Sequence, residues 1–406
     1  MRLNTQRTIC IGLAFFSICA FWQFYDNEIP KILKNSFGMK ETMTGLVMSL
    51  DNILALFLLP LFGRWSDHTH TRIGKRMPFI LIGNLLACIF LLILGHLSQL
   101  GPFLFCLVLL LLAMGIYRSP AVSLMADLTP APLRSQGNAI INLMGAFGCF
   151  CTLVLIKVFL KKNQYGPLIL SLVLLMMVSI LILFLTVPEK KLIDEMGTQP
   201  KTEEEKAKEA SKGKKMPKAM QRSLIHVLVA VFFWYSAYNA VTTAFSRYAQ
   251  QVWHLQNGAY ADCLMIGTIV AVLSYLPIGH VSQKIGRKSM ILFGIGSMTL
   301  AYGMATIMGT YSQIMMIWFA CVGIGWAAIN VNSYPMVVEM SQAGDIGLFT
   351  GMYYTFSMAA QVFTPIASGF LLEHVGYQTL FPYAFVCMIL AAITMLGVHH
   401  GDIKKR

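Results

Sequence analysis

Charge is the scarcest commodity in this sequence. Only 12% of its 406 residues are Asp, Glu, Lys or Arg, about half the ~25% usual in soluble domains, and acidic residues number 18 against 31 basic ones. Such a chain cannot cover a water-facing surface of this size. Catalytic signatures are missing as well. There is no His-Glu-x-x-His helix, no Gly-x-Ser-x-Gly elbow and no P-loop, so neither an enzyme nor a nucleotide-driven pump is indicated. Metal-ligand spacing is absent too: the nine cysteines all fall within apolar stretches, and the nearest pair, Cys149 and Cys151, has no partner pair. They read as small core residues.

What the sequence has is apolar length. Hydrophobic residues make up 56% of the chain and mean hydropathy is +0.65. Stretches of roughly 18 or more residues, long enough to cross about 30 Å of hydrocarbon as helices, recur at 8–27, 42–63, 78–95, 102–122, 137–160, 166–187, 223–251, 262–281, 289–309, 313–338, 347–372 and 379–398. The expected fold is an all-α polytopic membrane protein of about twelve spans, with no alternation of the kind a membrane barrel needs. The polar run Asp26-Asn27-Glu28-Ile29-Pro30 after the first stretch is unlike a cleavage site, so that stretch is expected to be a retained span.

A net charge of +13 raises nucleic acid as a partner, and the placement of the charge argues against it. With an even number of spans, the termini and the even-to-odd connections share one side. That side holds 23 of the 31 Lys and Arg, against Lys31, Lys34, Lys40, Lys161 and Lys162 opposite, with three more inside spans. Both termini are therefore expected in the cytoplasm of a multi-pass cell-membrane protein. The segment KTEEEKAKEASKGKKMPK divides the spans six and six, giving an amino-terminal bundle (1–187), a charged cytoplasmic linker (188–222) and a carboxy-terminal bundle (223–406).

The two halves align at an offset of about 212 to 216 residues. Trp22, Tyr25 and Asp26 match Tyr235, Tyr238 and Asn239; Gly63-Arg64-Trp65-Ser66-Asp67 and Arg72-Ile73-Gly74-Lys75-Arg76 match Gly279-His280-Val281-Ser282-Gln283 and Lys284-Ile285-Gly286-Arg287-Lys288; Pro120, Asp127 and Gly137 match Pro335, Glu339 and Gly351. Three matches in order mark an internal repeat.

The loop between spans two and three, G-x-x-S-D followed by R-x-G-K-R, resembles the signature loop of the major facilitator superfamily, with its weaker copy where that family repeats it. LDNILA, GRWSDHTHTRIGKRMPFILIG and YRSPAVSLMADLTPAPLRSQGNAIINLMGAFG look like bacterial relatives of the proton-coupled, sucrose-type sugar carriers; the glycoside-pentoside-hexuronide cation symporters share a similar loop. The resemblance implies two six-helix bundles rocking about a central site, a monomer in lipid, and symport of a small polar solute, a sugar first, with H⁺ as coupling ion and Na⁺ as the alternative. Efflux of amphipathic compounds on the same fold is the competing reading. Relatives carry arginine where this chain has His68 and His70. That His-x-His pair lacks a third ligand and reads as solvated loop.

Site residues follow from charge and aromatic placement. Gly63, Asp67, Arg72, Gly74, Arg76, Asp127 and Glu339 are the candidate cytoplasmic gate, their charges needing partners and their glycines allowing tight turns. Ionisable groups inside spans are costly and mark a pathway: Asp51 with Arg118, then Asp26, are the candidates for proton coupling. Spans three, six, nine and twelve contain no Asp, Glu, Lys or Arg, as a fold with those helices outermost requires. Trp22, Tyr25, Asn142, Tyr235, Tyr238, Asn239, Arg247, Tyr354 and Gln361 are candidate solute contacts, because rings stack on sugar C–H faces while amides and hydroxyls pair with sugar hydroxyls. No resident cofactor is expected.

Overall fold

The computed structural model describes residues 4–129, 134–160, 165–196, 217–340 and 346–402. Most of the Lys- and Glu-rich segment expected as a linker lies outside them.

Among the described residues, twelve helices are long and apolar enough to cross a membrane. Hydrocarbon offers backbone N–H and C=O groups no partner, so each crossing segment closes its own hydrogen bonds as a helix. The first six spans are α1 (Thr5–Asn35), α2 (Glu41–Asp67), α3 (Met77–Leu94), α4 (Leu100–Leu128), α5 (Arg134–Leu160) and α6 (Tyr165–Thr186). A short helix, α7 (Glu189–Met196), follows. The second six are α8 (Lys218–Gln251), α9 (Ala261–Ile285), α10 (Arg287–Ile307), α11 (Met315–Glu339), α12 (Ile346–His374) and α13 (Leu380–Leu396), with a single 3₁₀ turn, Tyr377–Thr379, ahead of the last. All twelve expected spans are found.

Boundaries moved where a polar residue found a partner. The sequence places the end of the first span at residue 27, yet α1 continues through Pro30 to Asn35. Glu28 is fully buried and paired with Lys31 one turn on, at 2.8 Å, so the helix continues through the polar run. At its start, Asn4 caps α1 by accepting the Arg7 N–H at 3.1 Å.

The chain divides into two compact units. Unit 1 comprises Met1–Met39, Leu50–Gln199 and Gln256–Ala261; unit 2 comprises Lys40–Ser49, Pro200–Leu255 and Asp262–Arg406. Within unit 1, α1 packs along α5 and α6, and α3 along α4 and α6; within unit 2, α8 packs on α12 and α13, and α10 on α11 and α13. In the most apolar window of each span, α1 is 61% buried and α8 56%, whereas α2 and α9 are 28% and 22% buried. The repeat is thus visible in packing: the first helix of each six is the enclosed one and the second lies open. Prolines recur at matching places, Pro60 in α2 with Pro277 in α9, and Pro120 in α4 with Pro335 in α11, each removing one helical hydrogen bond.

Candidate functional site

Two kinds of polar structure interrupt the apolar bundles: a charged knot at one end of each unit, and an aromatic, carboxylate-bearing stripe inside.

In unit 1 the knot forms around Arg76, which is only 3% exposed. Its Nε donates to Asp127 Oδ2 at 2.9 Å, one Nη to the Gly63 carbonyl at 3.0 Å and to Ser66 Oγ, and the other Nη to Asp67 Oδ1. A planar guanidinium spends its fork on two carboxylates and a carbonyl at once, which a lysine cannot do. Lys75 Nζ reaches the same Asp127 oxygen at 3.0 Å. The ends of α2 and α4 and the start of α3 are thereby tied together. Glu189, the first residue of α7, is fully buried beneath them and accepts the backbone N–H groups of Lys75, Arg76 and Met77 at 2.8 to 3.1 Å. A carboxylate at a helix N-terminus satisfies free donors and the helix dipole together. Gly74, with φ +122°, sits where any Cβ would collide with that carboxylate.

Unit 2 repeats the device in reduced form. Arg287 pairs with Glu339, and Asp402 Oδ1 accepts the Arg287 N–H at the start of α10. Gly286 has φ +95°, and a Cβ on it would stand 2.8 Å from Asp402. Five of the expected gate residues, Gly63, Asp67, Gly74, Arg76 and Asp127, meet in one knot, and Glu339 belongs to its counterpart; Arg72 is exposed and stands outside both. Glu189 and Asp402 were missed. The signal for them existed: each follows the last span of its half, and their spacing of 213 residues is the repeat offset already found.

Inside unit 1, Asp26 of α1 and Asp51 of α2 interact electrostatically with each other and with Arg118 of α4. Asn52 donates to Asp51 at 2.8 Å. The Arg118 guanidinium lies 5.7 Å from the Trp22 ring centroid, within cation–π range. Trp22 and Tyr25 meet edge to face at 5.3 Å. Trp22 Nε1 and the Tyr25 hydroxyl are buried, with no hydrogen-bond partner among the described residues. Buried donors without acceptors are expensive, which makes these two the natural attachment points for something polar. Asn142 of α5 is exposed and stands outside this group.

Unit 2 carries an aromatic face of its own. Tyr238 stacks on Trp326 with ring centroids 3.7 Å apart and planes 3° from parallel, and Tyr235 meets the same indole edge-on at 5.4 Å. Tyr353 continues the row from Tyr235, its hydroxyl 2.9 Å from Ser333 Oγ, and Tyr334 and Tyr354 extend it. Asn239 Nδ2 is buried without a hydrogen-bond partner among the described residues. Gln361 donates to the Ser357 carbonyl at 3.3 Å, and Tyr354 is 53% exposed. Trp326, Tyr334 and Tyr353 were not anticipated, because single aromatics in an apolar run look like packing until their neighbours are known.

Arg247 goes elsewhere. Nine residues beyond Tyr238 on the same helix, about 13 Å at 1.5 Å per residue, it pairs with Glu41 Oε2 at 3.0 Å, both side chains buried, and the Tyr377 hydroxyl donates to the same carboxylate. Unit 1 has a comparable cluster at Glu28, which accepts from Tyr165 at 3.0 Å and from Tyr260, while Lys31 lies 4.5 Å from the Tyr260 ring centroid. Burial, then the adjacent carboxylate, push the Tyr260 phenol well above its usual pKa, so it remains a donor to Glu28 throughout the neutral range.

Among the described residues no group of three or more His, Cys, Asp or Glu could hold a metal ion; His68 and His70 are exposed.

The model of the Major Facilitator Superfamily matches residues 11–302 and 227–405. An uncharacterized MFS-type transporter of Methanocaldococcus jannaschii is 23% identical over 379 residues, covering 91% of this chain and 89% of that protein. A sucrose transport protein of Arabidopsis thaliana is 27% identical over 135 residues, 28% of this chain and 23% of its own length. Among solved structures, the nucleoside transporter NupG superposes with a TM-score of 0.73 at 14% identity, covering 98% of this chain and all of that one. A POT family transporter in complex with a thioalcohol-conjugated peptide superposes at 0.71 and 11% identity, covering 97% and 93%. At such identities the structures speak for the fold alone.

Proposed function

Given that this chain belongs to the major facilitator superfamily, and is therefore a multi-pass secondary transporter of alternating-access architecture rather than an enzyme, we propose that it carries a small polar solute, a sugar, in symport with protons.

The observation that carries this reading is the stripe in unit 1: two intramembrane carboxylates, Asp26 and Asp51, lie within electrostatic reach of Arg118, which stacks near Trp22, whose indole donor and the Tyr25 hydroxyl have no partner among the described residues. In a low-dielectric surrounding a carboxylate is costly to hold charged, so a pair with a single compensating cation has one site at which taking up a proton relieves charge. Ring faces next to unfilled donors suit a sugar, whose C–H faces stack and whose hydroxyls accept. The stacked tyrosines and Trp326 of unit 2, with the free Asn239 amide, offer the same chemistry. Local similarity to a plant sucrose transport protein supports the substrate class. We take the basic loop face as cytoplasmic on the positive-inside rule, which makes the Arg76 and Arg287 knots the cytoplasmic latch, and the chain as a monomer in the cell membrane, with lipid and solute its only partners.

The test follows external pH in energy-starved cells or vesicles containing the protein as a panel of mono- and disaccharides is added. One sugar should give alkalinisation, and Asp51→Asn should abolish it while the protein still reaches the membrane. Solute uptake without proton movement that requires Na⁺ would replace the coupling ion. No response to any sugar under either condition would sink the sugar assignment and move efflux of amphipathic compounds ahead.

A further inference from the structure

One intramembrane feature is not used by that mechanism. Helices α1 and α5 approach so closely that a Cβ on Gly148 would strike the Phe16 backbone, and one on Gly145 would stand 2.8 Å from Cys19 Sγ. The approach sets Cys149 of α5 against Cys19 of α1. Cys149 Sγ donates to the Cys19 carbonyl oxygen at 3.6 Å, so the two cysteines face each other across the α1–α5 approach. Both are part exposed, whereas Cys88, Cys106, Cys263 and Cys387 are buried. The pair also borders the charged stripe, Cys19 within electrostatic reach of Arg118 and Cys149 of Asp26.

We propose that Cys19 and Cys149 form a two-thiol site for a soft, thiophilic ligand, either a two-coordinate metal ion such as Hg(II) or Cu(I), or a trivalent arsenical, which on binding bridges α1 to α5.

Two thiols on facing helices match the coordination such ions accept, and thiolates select them over the harder divalent ions. The chemistry needs no oxidant. Hg²⁺ takes two thiols to give S–Hg–S and releases their two protons; an arsenoxide, R–As=O, condenses with both thiols to R–As(SR)₂ and releases one water. A third protein ligand is not required, so the pair needs no further His, Cys, Asp or Glu beside it. The site stands whichever solute the protein carries.

The experiment uses the full chain in lipid nanodiscs, with phenylarsine oxide as the probe. After treatment and washing, free thiols are labelled with N-ethylmaleimide and quantified peptide by peptide by mass spectrometry. Cys19 and Cys149 should both lose labelling at least tenfold, regaining it with 2,3-dimercaptopropanol but not with a monothiol. The part-exposed Cys10, Cys151 and Cys321 should label as before and serve as internal controls. In Cys19→Ser, Cys149 should still label but no longer be protected. Three results would each overturn the proposal: protection of Cys149 that persists in Cys19→Ser, labelling of the pair at the control rate after treatment, or failure of both thiols to react with maleimide in the untreated protein.

Discussion

At the scale of single residues, the charged knot of unit 1 depends on positions with no substitute. Gly74 holds φ +122° directly against the Glu189 carboxylate, so Gly74→Ala adds both backbone strain and a clash. We expect it to lower the melting temperature of the purified protein by several degrees. Gly286→Ala, whose Cβ would meet Asp402 at 2.8 Å, should cost less, since the surface Asp402 can give way. Glu189→Ala leaves the three N–H groups at the start of α3 unpaired, a loss of about 1–3 kcal/mol, and should destabilise the protein more than Glu189→Gln, which keeps an acceptor. Arg76→Lys preserves charge but not the fork. It leaves Asp67 or Asp127 short of a partner, so transport should fall more than stability does. Thermal unfolding in detergent alongside uptake in vesicles separates the two effects.

At the scale of elements, the first turns of α2 behave differently from the rest of that helix. Lys40–Ser49 belongs to unit 2, while residues from Leu50 onward belong to unit 1. Gly45 lies against the Pro365 backbone of α12, and the Glu373 carboxylate accepts the Thr42 N–H at 2.9 Å. Gly45→Val should push the start of α2 off α12. The expected result is faster amide exchange in residues 40–49, with α3 and α4 unchanged. Uniform acceleration across the chain would mean the fold as a whole had loosened and would defeat the explanation. The Glu41–Arg247 pair anchors the same segment, with both side chains buried. Removing one member of a buried pair leaves the other charge uncompensated, at about 3–5 kcal/mol. Glu41→Gln should therefore be strongly destabilising, and pairing it with Arg247→Met should recover part of the loss in a double-mutant cycle.

At the scale of the whole molecule, the two compact units are not the two halves of the sequence. Each takes a short piece of the other half: Lys40–Ser49 joins unit 2 and Gln256–Ala261 joins unit 1. The pieces are equivalent under the repeat, since each leads into the second span of its half. Expressed alone, residues 1–199 would lose Tyr260 as a donor to the buried Glu28, and the start of α2 would lose Arg247, Tyr377 and α12. We expect either half alone to aggregate on size-exclusion chromatography, and co-expression of 1–199 with 200–406 to give a monodisperse species. A stable, monodisperse 1–199 fragment would show that the exchanged pieces contribute little.

The amino-acid sequence by itself determined the solvent, the number of spans, the fold class and the repeat, because hydrocarbon thickness and backbone hydrogen bonding leave so few options for a chain with these apolar lengths. It also marked most of the knot: Asp67, Arg76 and Asp127 were legible because charge near a membrane is rare and was duplicated at a fixed offset. Tertiary structure alone decided the partners. Arg247 resembled a solute contact while it was simply a charge in a span, and only the packing of α2 on unit 2 assigned Glu41 to it. Glu189, Trp326, Tyr353 and the Cys19–Cys149 contact were equally silent. The physical reason is that periodicity and hydropathy report which face of a helix meets lipid, whereas the pairing of side chains depends on how closely two backbones approach, as at Gly148 and Phe16, and that distance is set by the whole bundle.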